Sequence, residues 1–167
     1  MIFNSDLLFD TVIIGVIATI VMDLWAFLQK KIFNIPSLNY ALVGRWFLYF
    51  GKGKFTHNKI IDSAPMPGEM ILGWIIHYLT GIIFAAVLLI LVNQSWLSQP
   101  TPILPITFGI MTVLFPFLIM QPGFGFGVAA SKTPAPNTAR LRSLIAHTSF
   151  AVGLYLAAIL NSLRYAA

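Results

Sequence analysis

Long apolar runs without a two-residue inside–outside alternation dominate this chain, which argues for helices and against strands. Four of them, at about 7–28, 70–92, 102–120 and 144–160, approach the roughly 20 residues that a helix needs to cross about 30 Å of hydrocarbon. The third contains two prolines. Pro105 falls in a first turn, where its missing N–H is tolerated, whereas Pro116 lies deeper and predicts a kink. The pattern predicts an all-α membrane protein in which residues 1–167 form a single four-helix transmembrane domain.

Polar segments refine that picture. Residues 38–50 (LNYALVGRWFLYF) set Tyr40, Trp46, Phe47, Tyr49 and Phe50 around a lone Arg45 and predict an interfacial helix with aromatics at headgroup level. Gly51, Gly53, Asp62, Pro65, Pro67 and Gly68 then mark a turn-rich loop ending at Glu69, whose carboxylate suits the first turn of the second span. Between the third and fourth spans runs a long glycine- and proline-rich loop, QPGFGFGVAASKTPAPNTARLR.

Composition excludes a water-soluble domain: 58% of the residues are hydrophobic and only 9% charged, against about 25% charged in soluble proteins. The absence of cysteine removes disulfides, zinc–thiolate sites, iron–sulfur clusters and thiol nucleophiles. Residues 1–10 contain no Lys or Arg, so a basic signal-peptide region is missing and the first span is expected to be retained. Of the ten basic residues, nine lie in the first-to-second and third-to-fourth connections and only Arg164 lies on the other side. The positive-inside rule makes the basic face cytoplasmic and leaves both termini outside the cytoplasm. The net charge of +5 therefore reflects topology and lipid-headgroup contact, not nucleic-acid binding.

Ionisable residues inside apolar spans are costly and usually have a task. Asp23 lies five residues before the end of the first span, about 8 Å along a helix; His77 lies about 10 Å into the second and His147 about 8 Å beyond Arg142. All three share one layer on the basic side. Each also lies on a stripe of small residues: Gly15/Thr19/Asp23, Glu69/Gly73/His77/Gly81/Ala85 and Ser143/His147/Ala151. Such stripes let helices approach closely in lipid, so the first, second and fourth spans are expected to pack through Gly15/Thr19, Gly73/Gly81 and Ala151, with the three polar groups converging. Three chemistries suit that set. It could only pin helix packing. It could bind a divalent metal as two imidazoles and a carboxylate, although no close-spaced pair such as HExxH supports this. It could couple protons, since histidine titrates near neutral pH and burial raises a carboxyl toward it. Bis-histidine haem is a further option that Asp23 in the same layer disfavours.

In the glycine loop, Gly123, Gly125 and Gly127 permit backbone shapes whose amides face an anion, and Ser131, Lys132, Thr133, Arg140 and Arg142 offer hydroxyl and cationic partners. Ser131-Lys132-Thr133 lacks the preceding glycine of a P-loop, and the segment lacks the strand–helix frame of a dinucleotide site. Arg45, Glu69 and Ser143 are candidate supporting residues.

ATIVMDLW around Asp23, GRWFLYFGKGKF, GEMILGWIIHYLTG around His77 and QPGFGFGVAASKTPAPNTARLRSLIAHTSFAVGLYL together resemble a family of small bacterial four-span membrane proteins known as a domain of unknown function. The resemblance spans nearly the whole chain. It implies the bacterial inner (cytoplasmic) membrane and no particular mechanism. The residues leave three functions open: a small solute or ion transporter or permease, self-associating because four spans leave little room for alternating access; a membrane-embedded, metal-dependent or acid–base enzyme at the cytoplasmic interface, with the His–Asp cluster as metal site or acid–base pair and the glycine loop holding the anionic headgroup of a small-molecule or lipid ligand; or a structural or accessory subunit.

Overall fold

The computed structural model describes residues 5–92 and 94–165, all in helices and connecting turns. In chain order these are α1 (Ser5–Phe33), α2 (Tyr40–Phe50), α3 (Glu69–Leu91), α4 (Gln94–Ser98), α5 (Ile103–Met111), α6 (Gln121–Gly123) and α7 (Pro136–Ser162). Short 3-10 turns cover Ile60–Asp62, Val128–Ala130 and Leu163–Tyr165. Four stretches are long and apolar enough to cross a bilayer: Ser5–Phe33, Glu69–Leu91, Ile103–Gly123 and Pro136–Tyr165. By helix length and hydropathy this is a multi-pass membrane protein.

The first and fourth helices overrun their predicted apolar windows, because hydropathy measures the oily segment while hydrogen bonding continues into the polar flanks. Pro116 does disrupt the third span. Backbone hydrogen bonding leaves the α pattern after Met111, and Pro116–Met120 forms a π-helical turn before α6. A proline that cannot donate its N–H resolves the conflict by widening the turn.

The chain divides into two packing units. The first comprises residues 1–36, 78–111 and 146–167. Its core joins Ile14 and Ala18 of α1, Ala85, Leu88 and Leu89 of α3, and Phe150, Leu154 and Ala157 of α7. Close approach is made by small residues. A Cβ on Gly15 would lie 2.5 Å from the Ile82 Cα, and one on Gly81 2.0 Å from the Thr19 hydroxyl. The expected Gly15/Thr19–Gly81 contact therefore forms. Ala151 instead faces Gly109 of α5, and α7 meets α1 through Gly153 against Ala18. Small residues recur at both helical spacings on α7, so the stripe alone did not say which face meets which neighbour.

The second unit comprises residues 37–77 and 112–145. Asn39 caps α2, its side chain accepting from the Ala41 amide at 3.1 Å. The predicted aromatic helix is present, but Tyr40 and Trp46 are buried. Trp46 packs edge-on against Phe47, Phe50 and Phe124 and donates its indole N–H to the Phe55 carbonyl at 2.7 Å. Protein partners satisfy that polar edge in place of a headgroup layer. Gly73, expected on the contact with the first span, lies against α2: a Cβ there would be 1.9 Å from the Tyr40 carbonyl oxygen.

Candidate functional site

Polar clusters form around His77, Asp23, Glu69 and Asp10, all held on helices, and around His57, which lies in a loop. In the first unit, Asp23 of α1 accepts a hydrogen bond from the Tyr78 hydroxyl of α3 at 3.0 Å. In the second, the Tyr40 hydroxyl of α2 lies 3.0 Å from His77 Nε2, with the rings stacked at 4.3 Å and Trp74 against both. Each ionisable group thus has a phenol as partner, and His77 and Tyr78 are consecutive residues. His147 belongs to the first unit and is half-buried. Among the described residues no three His, Asp or Glu side chains form a metal-binding group.

Arg45 and Glu69 form the strongest polar contact of the second unit. Arg45 Nε and Nη2 each donate to a different Glu69 carboxylate oxygen at 2.8 Å, while Nη1 reaches the carbonyls of Ser63 (2.8 Å) and Ile60 (3.3 Å). Glu69 also accepts from the Met66 amide at 2.8 Å. The planar guanidinium fork matches the carboxylate bidentately. The hydrogen bonds to Glu69 raise the Arg45 pKa against the opposing effect of burial. Glu69 does sit in the first turn of α3, but its main partner is Arg45, not the helix dipole alone.

Next to this pair lies a histidine that the span-based reasoning passed over because it falls in a loop. His57 is buried, its Nδ1 is 2.8 Å from the Ser63 hydroxyl, and its ring stands edge-on to Tyr49. Nε2 is buried with no hydrogen-bond partner among the described residues. Burial first, then the nearby Lys54 and Arg45 charges, push the His57 pKa below its usual value. The unfolded chain then takes up a proton near pH 6.5 that the folded chain refuses. Stability is present in full above that pH and falls as pH drops toward the folded value. His57→Gln is expected to flatten the decline in melting temperature between about pH 7 and pH 5, read by thermal scans in one detergent. An unchanged slope would remove His57 as its source.

The glycine loop packs on the same unit. A Cβ on Gly123 would lie 2.5 Å from the Trp46 ring, and one on Gly125 2.1 Å from the Asn58 carbonyl. The His57 and Ile60 amides donate to the Gly123 and Phe124 carbonyls, both at 2.9 Å. The expected anion partners have internal ones. The amides of Phe126, Ser131, Lys132 and Thr133 donate to carbonyls within the segment, as does the Thr133 hydroxyl. Arg140 donates to the Ala129 carbonyl at 2.8 Å and to Asn137 at 3.1 Å, holding Ala129 and Ala130 in left-handed backbone conformations. Ser143 accepts from buried Gln121 at 3.3 Å. Ser131, Lys132 and Arg142 are exposed. Gly127 has positive φ and lies close to Ser131 and Lys132. These glycines thus serve close backbone approach, and sequence alone does not separate that use from anion binding.

A polar pair at the other end of α1 also escaped the span reasoning. Asp10 is fully buried and accepts from Arg164 and Tyr165. The rule that flagged Asp23 applies equally to Asp10, which lies inside the first apolar run.

Neither the curated proteins nor the solved structures yield a match to this chain. A family model described as "Protein of unknown function (DUF2938)" matches residues 12–161. That range contains α2, both phenol pairs, the Arg45–Glu69 pair and the whole glycine loop, so the chain belongs to the DUF2938 family.

Proposed function

We propose that this protein is a small-solute or ion transporter of the bacterial inner membrane whose activity depends on protons exchanged at Asp23 and His77. The observation that carries this reading is the pairing of each group with a phenol, Tyr78 on Asp23 and Tyr40 on His77, both at 3.0 Å. A carboxylate and an imidazole on membrane-spanning helices are proton-exchanging groups held in a low-dielectric setting. A phenol hydroxyl can donate to a carboxylate or to a bare imidazole nitrogen, and proton uptake there changes the donor–acceptor pattern open to the phenol, whose oxygen can then accept instead. Each pair is therefore a protonation-sensitive tie between two helices. The basic connections lie on the cytoplasmic side and both termini lie outside. Self-association supplies the second half of an access pathway that four spans do not enclose.

The test is proton flux into liposomes containing the purified protein and a trapped pH-sensitive dye. Wild-type vesicles are expected to equilibrate an imposed pH gradient about a hundredfold faster than Asp23→Asn or His77→Phe vesicles, the lower end of the loss on removing a proton-transfer group. Tyr78→Phe is expected to retain flux with a displaced pH profile. Wild-type flux no faster than that of empty vesicles would refute the reading.

A further inference from the structure

An open cleft of about 650 Å³ lies in the first unit, where α3 ends, α4 follows and α5 begins. Its volume falls within the roughly 300–1,000 Å³ of small-molecule sites. Leu91, Val92 and Leu104 form its apolar wall. Leu91 closes one membrane-crossing stretch and Leu104 is the second residue of another, so the cleft lies at the edge of the apolar layer. Ser95, Ser98 and Gln99 supply a polar rim, and all three are exposed. The rim is anchored from beneath, because Val92 and Leu97 are buried in the core of the unit at 6% and 2% exposure. Trp96 also lines the cleft and packs against that core, and its indole N–H donates to the Thr101 hydroxyl at 3.3 Å. With its polar edge engaged, Trp96 offers a ligand the carbon surface of its ring.

Charge decides what fits. The connection 93–101 contains no Asp, Glu, Lys or Arg, and none of the described lining residues is charged. An ionic headgroup would leave water here without a counter-charge, a cost that a neutral group does not meet. Two hydroxyls and a primary amide both donate and accept hydrogen bonds, which complements a polyol. A pyranose has hydroxyls at its edge and a face of polarised C–H bonds, which the electron-rich face of an indole attracts. The aliphatic wall continues from the rim toward the apolar layer, so it extends the match to an alkyl chain on the sugar.

We propose that this cleft binds an uncharged glycosyl headgroup carried on an alkyl chain. Trp96 stacks on the sugar ring, Ser95, Ser98 and Gln99 meet its hydroxyls, and Leu91, Val92 and Leu104 take the chain. The site uses no group of the Asp23 and His77 pairs and does not depend on the transport reading.

Equilibrium binding of tritiated octyl glucoside tests it, with the full chain in phosphatidylcholine nanodiscs and empty nanodiscs as the blank. A saturable component near one molecule per chain is expected. Unlabelled octyl glucoside is expected to displace it. Glucose, which lacks the chain, and octyl phosphocholine, which carries an ionic headgroup, are expected to leave it in place. Affinity is expected to fall about tenfold in Ser95→Ala/Gln99→Ala, the effect of losing two neutral hydrogen bonds. Ser98→Trp, which fills the cleft, is expected to abolish binding. All three positions are exposed, so both variants are expected to melt near wild type. Absence of a saturable component, displacement by glucose or octyl phosphocholine as effective as that by octyl glucoside, or unchanged affinity in either variant would each overturn the site.

Discussion

Arg45→Met is expected to destabilise the protein by about 3–5 kcal/mol, the range for breaking one half of a buried ion pair. Side-chain exposures of 10% for Arg45 and 14% for Glu69 place both charges out of reach of full hydration. The substitution leaves the Glu69 carboxylate with the Met66 amide as its donor, removes the Arg45 donor from the Ser63 carbonyl, and leaves the Ile60 carbonyl only the Ser63 amide. Glu69→Met is expected to cost a comparable amount. The double variant is expected to recover a large part of the loss, because neither charge is then stranded. Thermal and denaturant midpoints in a single detergent measure this cycle. A single-variant loss of no more than about 1 kcal/mol would class the pair with solvent-screened surface bridges.

The second large effect is steric. Gly44→Ala would place a Cβ 1.8 Å from the Glu69 carbonyl oxygen, and Gly73→Ala 1.9 Å from the Tyr40 carbonyl. Neither obstacle is a movable side-chain tip, so α2 and α3 must separate. Each variant is expected to lose about 3 kcal/mol, the upper part of the overpacking range, and to loosen the Arg45–Glu69 geometry. Gly51→Ala, whose Cβ would meet only the Leu48 carbonyl at 3.5 Å, is the matched control and should melt near wild type. Equal midpoints for Gly44→Ala and Gly51→Ala would contradict the close crossing.

The spans were legible in the sequence because lipid demands long unbroken apolar runs, and Pro116 announced its own disturbance. Glu69 does lie in the first turn of α3, but its partnership with Arg45 is not visible in sequence, since the two are 24 positions apart with a turn-rich loop between. Depth along a helix follows from counting residues, whereas rotation about its axis depends on neighbours. Counting therefore located Asp23 and His77 by depth without revealing Tyr78 and Tyr40 as their partners. His57 carried no periodic signal at all. Its burial arises from the Gly123–Gly125 backbone laid across it, a contact between segments that share no local pattern.

That backbone pairing has a consequence for biogenesis. The His57 amide bonds to the Gly123 carbonyl, and these residues are synthesised 66 positions apart, a delay on the order of 3–13 s at about 5–20 residues per second. During that interval α2 and the loop behind it are already made, while the segment that covers Trp46 and His57 has yet to be translated. The aromatic cluster is meanwhile without its closing half. A ribosome halted after the second span would thus hold a nascent chain with greasy rings exposed, the state that surveillance proteases and holdase chaperones recognise. Completion of this aromatic core therefore follows translation of the third span.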